Sequence, residues 1–479
     1  MARFTDCPPE VIVEICRQLV LPLQTELYAY DLSADVSTDN SLACRIALAR
    51  LMRTCRKLHD AAGCMLYSGY YHNHHPSQAV TFLKTLDPYE GSSRPELVRH
   101  ADLHHNLYES SSDGINWSKE EENMTKDPWI NRLAGALGMH FADWWNRCRI
   151  GMQFDHVLEH ISQVFIIYLP TLTSLDVKLC HNWKFDLLQQ WTEKRPSGCN
   201  DLLPNLRHLK IQMRSAKARK CNAHQIILEG APRLSTSEIY NSMFYTIPSD
   251  CQLVNLRSLK LINCSMDLRS MTEVITATLN LTFFEYRGVQ SGTETSRKPL
   301  LGPQMLCNLL RNDYDLAASQ PSGTTKLDLP NLYRQLRTLK IDFHSSQFLF
   351  DWDDSDTITS LQDFSKLRYL SIDTHSFTFR TSNQNHLSMN NIGKMIPQCL
   401  ETLDISRIGE FLLEELVRVG LREIIDMSRQ GQLRQLKQMS LTNCVVHRNR
   451  RTQQKALHDL REMLEIPGAP SIYLNGKAL

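Results

Sequence analysis

From residue 170 onward one short pattern of apolar and polar positions keeps returning. It consists of an apolar residue, two variable ones, a second apolar residue, a variable one and a third apolar residue. Clear copies are Leu172-Leu175-Val177, Leu206-Leu209-Ile211, Leu256-Leu259-Leu261, Leu336-Leu339-Ile341, Leu367-Leu370-Ile372, Leu400-Leu403-Ile405 and Leu436-Met439-Leu441. Leu234-Ser237-Ile239 and Leu281-Phe284-Tyr286 are weaker ones. The second and third apolar positions lie two apart, the period of a strand with one buried face. Nine short strands are therefore predicted. No single strand buries its own apolar side, but stacking the units makes a continuous ladder, at roughly 1.5–3 kcal/mol per large aliphatic side chain.

The wording is shared beyond the frame. Three copies read LPNLRHLKI, LVNLRSLKL and YRQLRTLKI, and in two of the nine, at Cys264 and Cys444, a cysteine follows the third apolar position by three. This resembles the leucine-rich repeat. Nine unrelated strands of an α/β sheet are the competing reading, and the repeated LRxLK disfavours it. First leucines are separated by 34, 28, 22, 25, 55, 31, 33 and 36 residues, so most units should carry a helix or long loop on the convex side. The interval of 55 predicts a degenerate repeat or a loop, and SQPSGTTK within it reads as linker. The fold class expected is α/β, a leucine-rich-repeat solenoid with a curved parallel sheet, preceded by a small all-α module.

Just before the first repeat, Phe154, Val157, Leu158, Ile161, Val164, Phe165 and Tyr168 keep helical spacing, and Pro170 follows. This predicts a cap helix over 154–168. Residues 109–127 are polar and charged and read as an exposed loop. The domains expected are a helical module at 1–75, a linker and helical segment at 76–150, a solenoid at 151–445 and a helical cap at 446–479.

The N-terminal module carries a second resemblance. FTDCPPEVIVEICRQL, followed by ALARLMRTCRKLHDAAGCMLYSGYY, resembles the F-box. Pro8, Glu10, Val11, Ile15 and Leu19 match its opening and first helix, and Leu48, Leu51, Cys55, Arg56 and Leu58 its second part. Cys7 stands where the family carries leucine, and residues 20–45 read as an inserted loop. From the residues alone, Asp6 is a candidate N-cap, the prolines suit a helix start, and Val11, Ile12, Ile15 and Leu19 make one apolar face. Ala47, Leu48, Leu51 and Met52 make another. A unit this small has more apolar face than it buries alone. The resemblance implies that Pro8, Pro9, Val11, Ile12, Ile15, Leu19, Leu48, Leu51, Met52 and Leu58 contact a Skp-type adaptor. The competing reading packs these helices on the end of the repeats.

Composition narrows the classes. Fifty-three basic and 52 acidic residues leave a formal charge of +1, so no global field draws the chain to nucleic acid or anionic membrane. None of the 14 cysteines forms a CxxC, which removes zinc ribbons and thioredoxin-like redox motifs. With no signal-like apolar run after Arg3, reduced thiols and a cytoplasmic or nuclear location are expected.

Three constellations are candidate chemistry. His156, Glu159 and His160 form an HxxEH string in which two histidines on one helical face would hold zinc and the glutamate would act as base. The apolar stripe puts both histidines at its edge and turns Glu159 to solvent. No third ligand is identifiable. His72, His74 and His75 read as an exposed loop, and Asp351, Asp353, Asp354 and Asp356 lack the glycine and terminal glutamate of a calcium loop. Arg448, Arg450 and Arg451 read as a charged cap or a weak nuclear signal. Phosphate-cradling and nucleophile-elbow motifs are absent. No cofactor, metal or catalytic residue is expected.

Between the second and third apolar positions of each strand, one residue should face the concave surface, where repeat proteins bind partners. That column reads Asp176, Lys210, Glu238, Lys260, Glu285, Lys340, Ser371, Asp404 and Ser440, with Phe283, Tyr369 and Arg207-His208 flanking it. Asp176, Lys210, Glu238, Lys260, Glu285, Lys340, Tyr369 and Asp404 are the expected contacts to a protein substrate. The two resemblances together imply the non-catalytic substrate receptor of an SCF-type cullin-RING ubiquitin ligase. In that role the F-box holds the adaptor, and through it a cullin, while the repeats hold the substrate. The alternatives are a repeat scaffold without a ubiquitin role and a metallohydrolase built on the HxxEH string.

Overall fold

A computed structural model of the chain describes residues 7–28, 46–70, 76–86, 95–103, 128–129, 132, 155–179, 185, 188–189, 193, 202–213, 223–242, 247, 251–289, 301–313, 330–345, 356–380, 387–389, 392–409, 412–444, 451–464 and 469–478. The chain divides into two compact units, Met1–Val177 with Phe185–Leu206, and Lys178–Lys184 with Arg207–Leu479.

In the first unit, α1 (Pro9–Tyr28), a helical segment at 46–51 and α2 (Arg56–Leu66) come first. Pro9 heads α1, where its missing N–H has no helical acceptor to lose. Ile12, Cys16, Leu48, Leu58 and Ala62 enclose a small core, with Cys7, Leu51, Met52 and Cys55 packed against it. The predicted loop at 20–45 is shortened, because α1 runs on to Tyr28. Val20, Leu23 and Leu27 keep the helical period past Pro22. Asp6, the candidate cap, lies outside the described residues, as do 109–127.

The chain continues through β1 (Gly69–Tyr70), α3 (Pro76–Thr85), β2 (His100–Leu103), α4 (Asp155–Tyr168) and β3 (Ser174–Leu179). Strands β1, β2 and β3 are parallel, with Tyr70 beside Ala101 and Ala101 beside Leu175. Segment 76–150, read as linker and helix, thus contributes a strand. Val98, Ala101 and Leu103 are the recurring pattern with alanine in its second place, and all three are buried. The helix predicted over 154–168 forms as α4, and its Phe165 ring meets Tyr70 at 4.6 Å and Phe82 at 6.2 Å. Helix α4 packs on α3 and β3 pairs with β2, so these elements share the first unit up to Val177, within β3.

The second unit contains β4 (His208–Met213), α5 (Ala223–Glu229), β5 (Thr236–Tyr240), β6 (Ser258–Cys264), α6 (Leu268–Ala277), β7 (Phe283–Val289), α7 (Pro303–Arg311), β8 (Thr338–Ser345) and β9 (Tyr369–Asp373). A hairpin, β10 (Thr378–Arg380) and β11 (Leu387–Met389), and a short α8 (Ile392–Met395) precede β12 (Thr402–Ser406). Then come α9 (Leu412–Glu415), a π-helical stretch Leu416–Leu421, α10 (Arg422–Arg429), β13 (Gln438–Thr442), α11 (Arg451–Leu464), β14 (Ser471–Leu474) and β15 (Lys477–Ala478). The sheet order is β4-β5-β6-β7-β8-β9-β12-β13-β14-β15, with parallel pairs throughout except β14–β15. Neighbours in the sheet are thus successive sheet strands along the chain.

All nine predicted strands form, one as β3 and eight in this unit. Their apolar positions are in register. Leu209, Ser237, Leu259, Phe284, Leu339, Leu370, Leu403 and Met439 make one buried row, and Ile211, Ile239, Leu261, Tyr286, Ile341, Ile372, Ile405 and Leu441 the next. The connecting helices supply buried sides of their own, such as Met271, Val274 and Ile275 of α6 and Leu306, Leu309 and Leu310 of α7. Helix α7 occupies part of the interval of 55 residues. Residues 290–300 and 314–329, SQPSGTTK included, lie outside the described residues.

The backbone repeats as the sequence does. At each strand start one carbonyl accepts two N–H groups from the following unit. Arg207 O takes those of Ser235 and Thr236, Arg257 O those of Thr282 and Phe283, and Arg337 O those of Arg368 and Tyr369. At the strand ends Asn241, Asn263, Arg407, Asn443 and Asn475 adopt φ of 57°, 53°, 59°, 50° and 46°. The chain leaves the sheet there through a left-handed residue, which asparagine tolerates better than branched side chains do.

The segment 446–479, read as a helical cap, also departs from expectation. After α11 it adds β14, parallel to β13, and then turns at Asn475-Gly476 into antiparallel β15. Gly476 has φ of 79°, so both turn residues are left-handed, as a two-residue hairpin needs. The tail is therefore part of the sheet.

Candidate functional site

Two surfaces hold the residues singled out from the sequence. The first is the outside of the helical trio. Successive turns of α1 place Ile12 and Cys16 inward and Val11 and Ile15 outward. Val11 is 44% exposed, Ile15 37% and Ile46 43%. Pro8 and Pro9 are exposed at the start of the same helix. Of the other expected adaptor contacts, Ile12, Leu48 and Leu58 are buried in the trio's own core and shape it rather than line its surface. Leu51 and Met52 are half-buried against that core. The Leu19 side chain lies outside the described residues.

The second surface is the non-apolar face of the second unit's sheet. Register places Lys210, Glu238, Lys260, Glu285, Lys340, Ser371, Asp404, Ser440 and Tyr473 in one unbroken row. Strands lie about 4.8 Å apart, so neighbours in this row interact directly. Lys260 Nζ donates to Glu238 Oε1 at 2.6 Å, and Tyr240 Oη donates to Glu238 Oε2 at 3.0 Å. Glu285, buried between two lysine strands, accepts from Arg287 at 2.8 Å. Lysines also rest on aromatic rings. Lys340 Nζ is 5.7 Å from the Phe283 ring centre and 5.5 Å from that of Tyr369, while Lys260 lies 5.9 Å from Phe283. Half-buried rings of this kind are the residues that anchor protein interfaces. Burial, with Asp404 and Glu285 nearby, holds the Tyr369 hydroxyl above its ordinary pKa.

Toward β12 the character changes. Asp404 accepts from Ser371 Oγ at 2.9 Å and Thr442 Oγ1 at 2.9 Å, which locks its carboxylate inside the sheet's own network. Asp176 falls outside this surface. It belongs to the first unit, on β3 beside Asp102, and is buried at 5% exposure. Sequence spacing assigned it to the column but carried no information about its burial.

The HxxEH string is placed differently from its sequence reading. Glu159 is buried, 4% exposed, rather than facing solvent, and its Oε1 accepts the Phe185 N–H at 2.8 Å. Gln163, one turn on, accepts the Leu188 N–H at 3.1 Å. These two side chains hold a neighbouring segment by its backbone. The side chains of His156 and His160, together with His72, His74, His75, Asp351, Asp353, Asp354, Arg448 and Arg450, lie outside the described residues. Among the described residues no group of three or more His, Cys, Asp and Glu is arranged to hold a metal ion. Burial pushes the Cys264 and Cys307 thiols up to about 12, which keeps them protonated and unreactive. No helix among the described residues is long and apolar enough to cross a membrane.

Of the basic residues at the strand starts, the sequence singled out Arg207 alone, as a flank of the concave column. Arg207, Arg257, Arg337, Arg368 and Lys437 are exposed and stand in one rim. The signal was present as the R of LRxLK. Neither a scan against models of known protein families nor a search of curated proteins returns a match for this chain.

Proposed function

We propose that this chain is a non-catalytic substrate receptor of an SCF-type ubiquitin ligase, with an F-box module at its N-terminus and a leucine-rich-repeat solenoid behind it. The F-box binds a Skp-type adaptor, and the solenoid binds a protein substrate on the face carrying Lys210, Glu238, Lys260, Glu285, Lys340 and Tyr369. No bond chemistry is assigned to any residue; the chain works by holding a substrate near a conjugating enzyme bound elsewhere in the assembly.

The observation that carries this reading is the division of labour within α1. One side of the helix completes a core with Leu48 and Leu58. The other leaves Val11 and Ile15 exposed, and Ile46 is exposed on the helical segment at 46–51. A trio with a filled core has no folding use for apolar side chains on its outside, and a partner surface gives them one. The sequence resemblance names that partner.

The test is co-purification of the full chain with a Skp-type adaptor, wild type against Val11→Asp/Ile15→Asp. Because neither side chain is in the core, the variant should melt within a few degrees of wild type and still lose the adaptor. If the folded wild-type chain fails to retain the adaptor, the receptor role falls and a repeat scaffold replaces it.

A further inference from the structure

The chain has almost no net charge, yet its basic groups are not evenly spread over the sheet. From β4 to β8 the strand starts read Arg207, Ser235, Arg257, Thr282 and Arg337, a rim without a carboxylate. Three residues further along the same strands stand Lys210, Lys260 and Lys340. The three acids on these strands are already engaged, Glu238 by Lys260, Glu285 by Arg287 and Asp342 by Arg407. At the other end of the sheet the strand starts include a carboxylate, Glu401, which meets Arg368 at 3.2 Å and Lys437 at 3.3 Å. The β4–β8 rim is the part left with positive charge.

The rim also carries apolar side chains. Val254 is 40% exposed and Leu279 36%, on the turns that lead into β6 and β7. They are tied to the arginine row. Arg257 Nη1 donates to Asn280 O at 3.3 Å, Asn280 Nδ2 donates to Val254 O at 2.8 Å, and Gln335 Nε2 donates to Leu279 O at 2.6 Å. This amide ladder fixes the turns side by side and holds two apolar groups among the guanidinium groups.

We propose that this rim is a docking site for an extended acidic segment of a protein partner, running across the strands from β4 to β8. The proposal rests on the receptor reading in taking the ligand to be protein. Strands lie about 4.8 Å apart and extended chain advances about 3.3 Å per residue, so roughly six residues span the site. Arginines stand on alternate strands, about 10 Å apart, close to the roughly 9 Å that three residues of polyproline II chain advance, the interval at which such an extended chain returns its side chains to one side. Acidic side chains at that interval meet them, and an apolar residue between them covers Val254 and Leu279. The guanidinium fork suits carboxylates, and the charge contrast guides approach.

The probe is a fluorescent peptide of about ten residues carrying Glu at every third position, with Leu and Ser between. Its anisotropy is titrated with the full chain at low and moderate salt. Binding should weaken by about tenfold in Arg257→Glu/Arg337→Glu and should fall with salt. The rim's paired strand-start bonds use main-chain atoms, and the variant gives up only the exposed bond from Arg257 to Asn280 O, so it should fold. Arg422→Glu/Arg429→Glu on α10 makes the same charge change elsewhere and should leave affinity as in wild type. Equal loss in both variants would reduce the effect to net charge and overturn the site. Absence of binding, or displacement of the peptide by a single-stranded oligonucleotide at lower concentration, would overturn it also. Adaptor capture is scored separately: its failure removes the receptor reading and leaves peptide binding to stand, while loss of peptide binding alone removes this site.

Discussion

Asp373 is the residue whose chemistry is most sharply set by its surroundings. It ends β9, is fully buried, and accepts from Phe343 N at 2.7 Å, His375 N at 2.8 Å and Ser376 Oγ at 2.7 Å. Those donors favour the charged carboxylate, but burial and the neighbouring Asp342 outweigh them and raise its pKa to about 7. An unfolded aspartate titrates near 4, so between about pH 4 and pH 7 the folded state holds the proton more tightly. The stabilisation from this group is complete below pH 4, shrinks as pH rises and is gone above 7. The melting temperature should therefore rise when pH falls from 8 to 5, and Asp373→Asn should flatten that slope. A slope unchanged in the variant would mean that other groups set it. Glu159 teaches the complementary lesson. Periodicity of an apolar stripe does not reveal that a carboxylate off the stripe is needed to hold the backbone of a segment 26 residues away.

The elements were legible where their own side chains carry the period. Nine strands follow from an apolar spacing that needs no knowledge of neighbours, and α4 follows in the same way. Among the strands left unread are the two- and three-residue β1, β10, β11 and β15, too short to show a period, and two whose pattern is diluted, β2 by Ala101 and β14 by an isolated Ile472 followed by an Asn-Gly turn. Two predictions belong to this scale. Asp267 caps α6, accepting the Ser270 N–H at 2.7 Å, and Asp267→Ala should lower stability by about 1 kcal/mol in denaturant titration. Leu259 lies mid-sheet between Ser237 and Phe284, buried on both sides. Leu259→Ala should lower stability by roughly 2–5 kcal/mol, well beyond the loss of a cap. A loss below 1 kcal/mol would show that the buried row closes over the cavity, against the close packing expected of such a ladder.

The chain carries a small helical module at its N-terminus and, later in the sequence, a sheet built by repetition. Its two proposed contacts are physically unlike. Adaptor docking depends on a few exposed apolar side chains, so Val11→Asp/Ile15→Asp should abolish it without a strong dependence on salt. Peptide docking on the β4–β8 rim depends on charge, so salt and arginine reversal should act on it together. Measuring both in one preparation separates a chain that has lost its fold, which loses both, from one that has lost a single surface.

The amino-acid sequence by itself determined the repeat, the number and position of most strands, the cap helix and the apolar faces of the N-terminal helices. These are periodicities of one chain segment, set by the geometry of strand and helix. It also placed Lys210 through Asp404 at equivalent positions, which parallel register turned into a row. Tertiary structure alone decided which apolar residues of α1 face inward and which remain outside, since a helix does not know which of its sides a partner helix will cover. It decided that Asp176 is buried while Lys340 sits open between two rings. It also drew separate arginines, on alternate strands from β4 to β8, into a single rim, because stacking brings within about 10 Å residues that the chain holds dozens of positions apart.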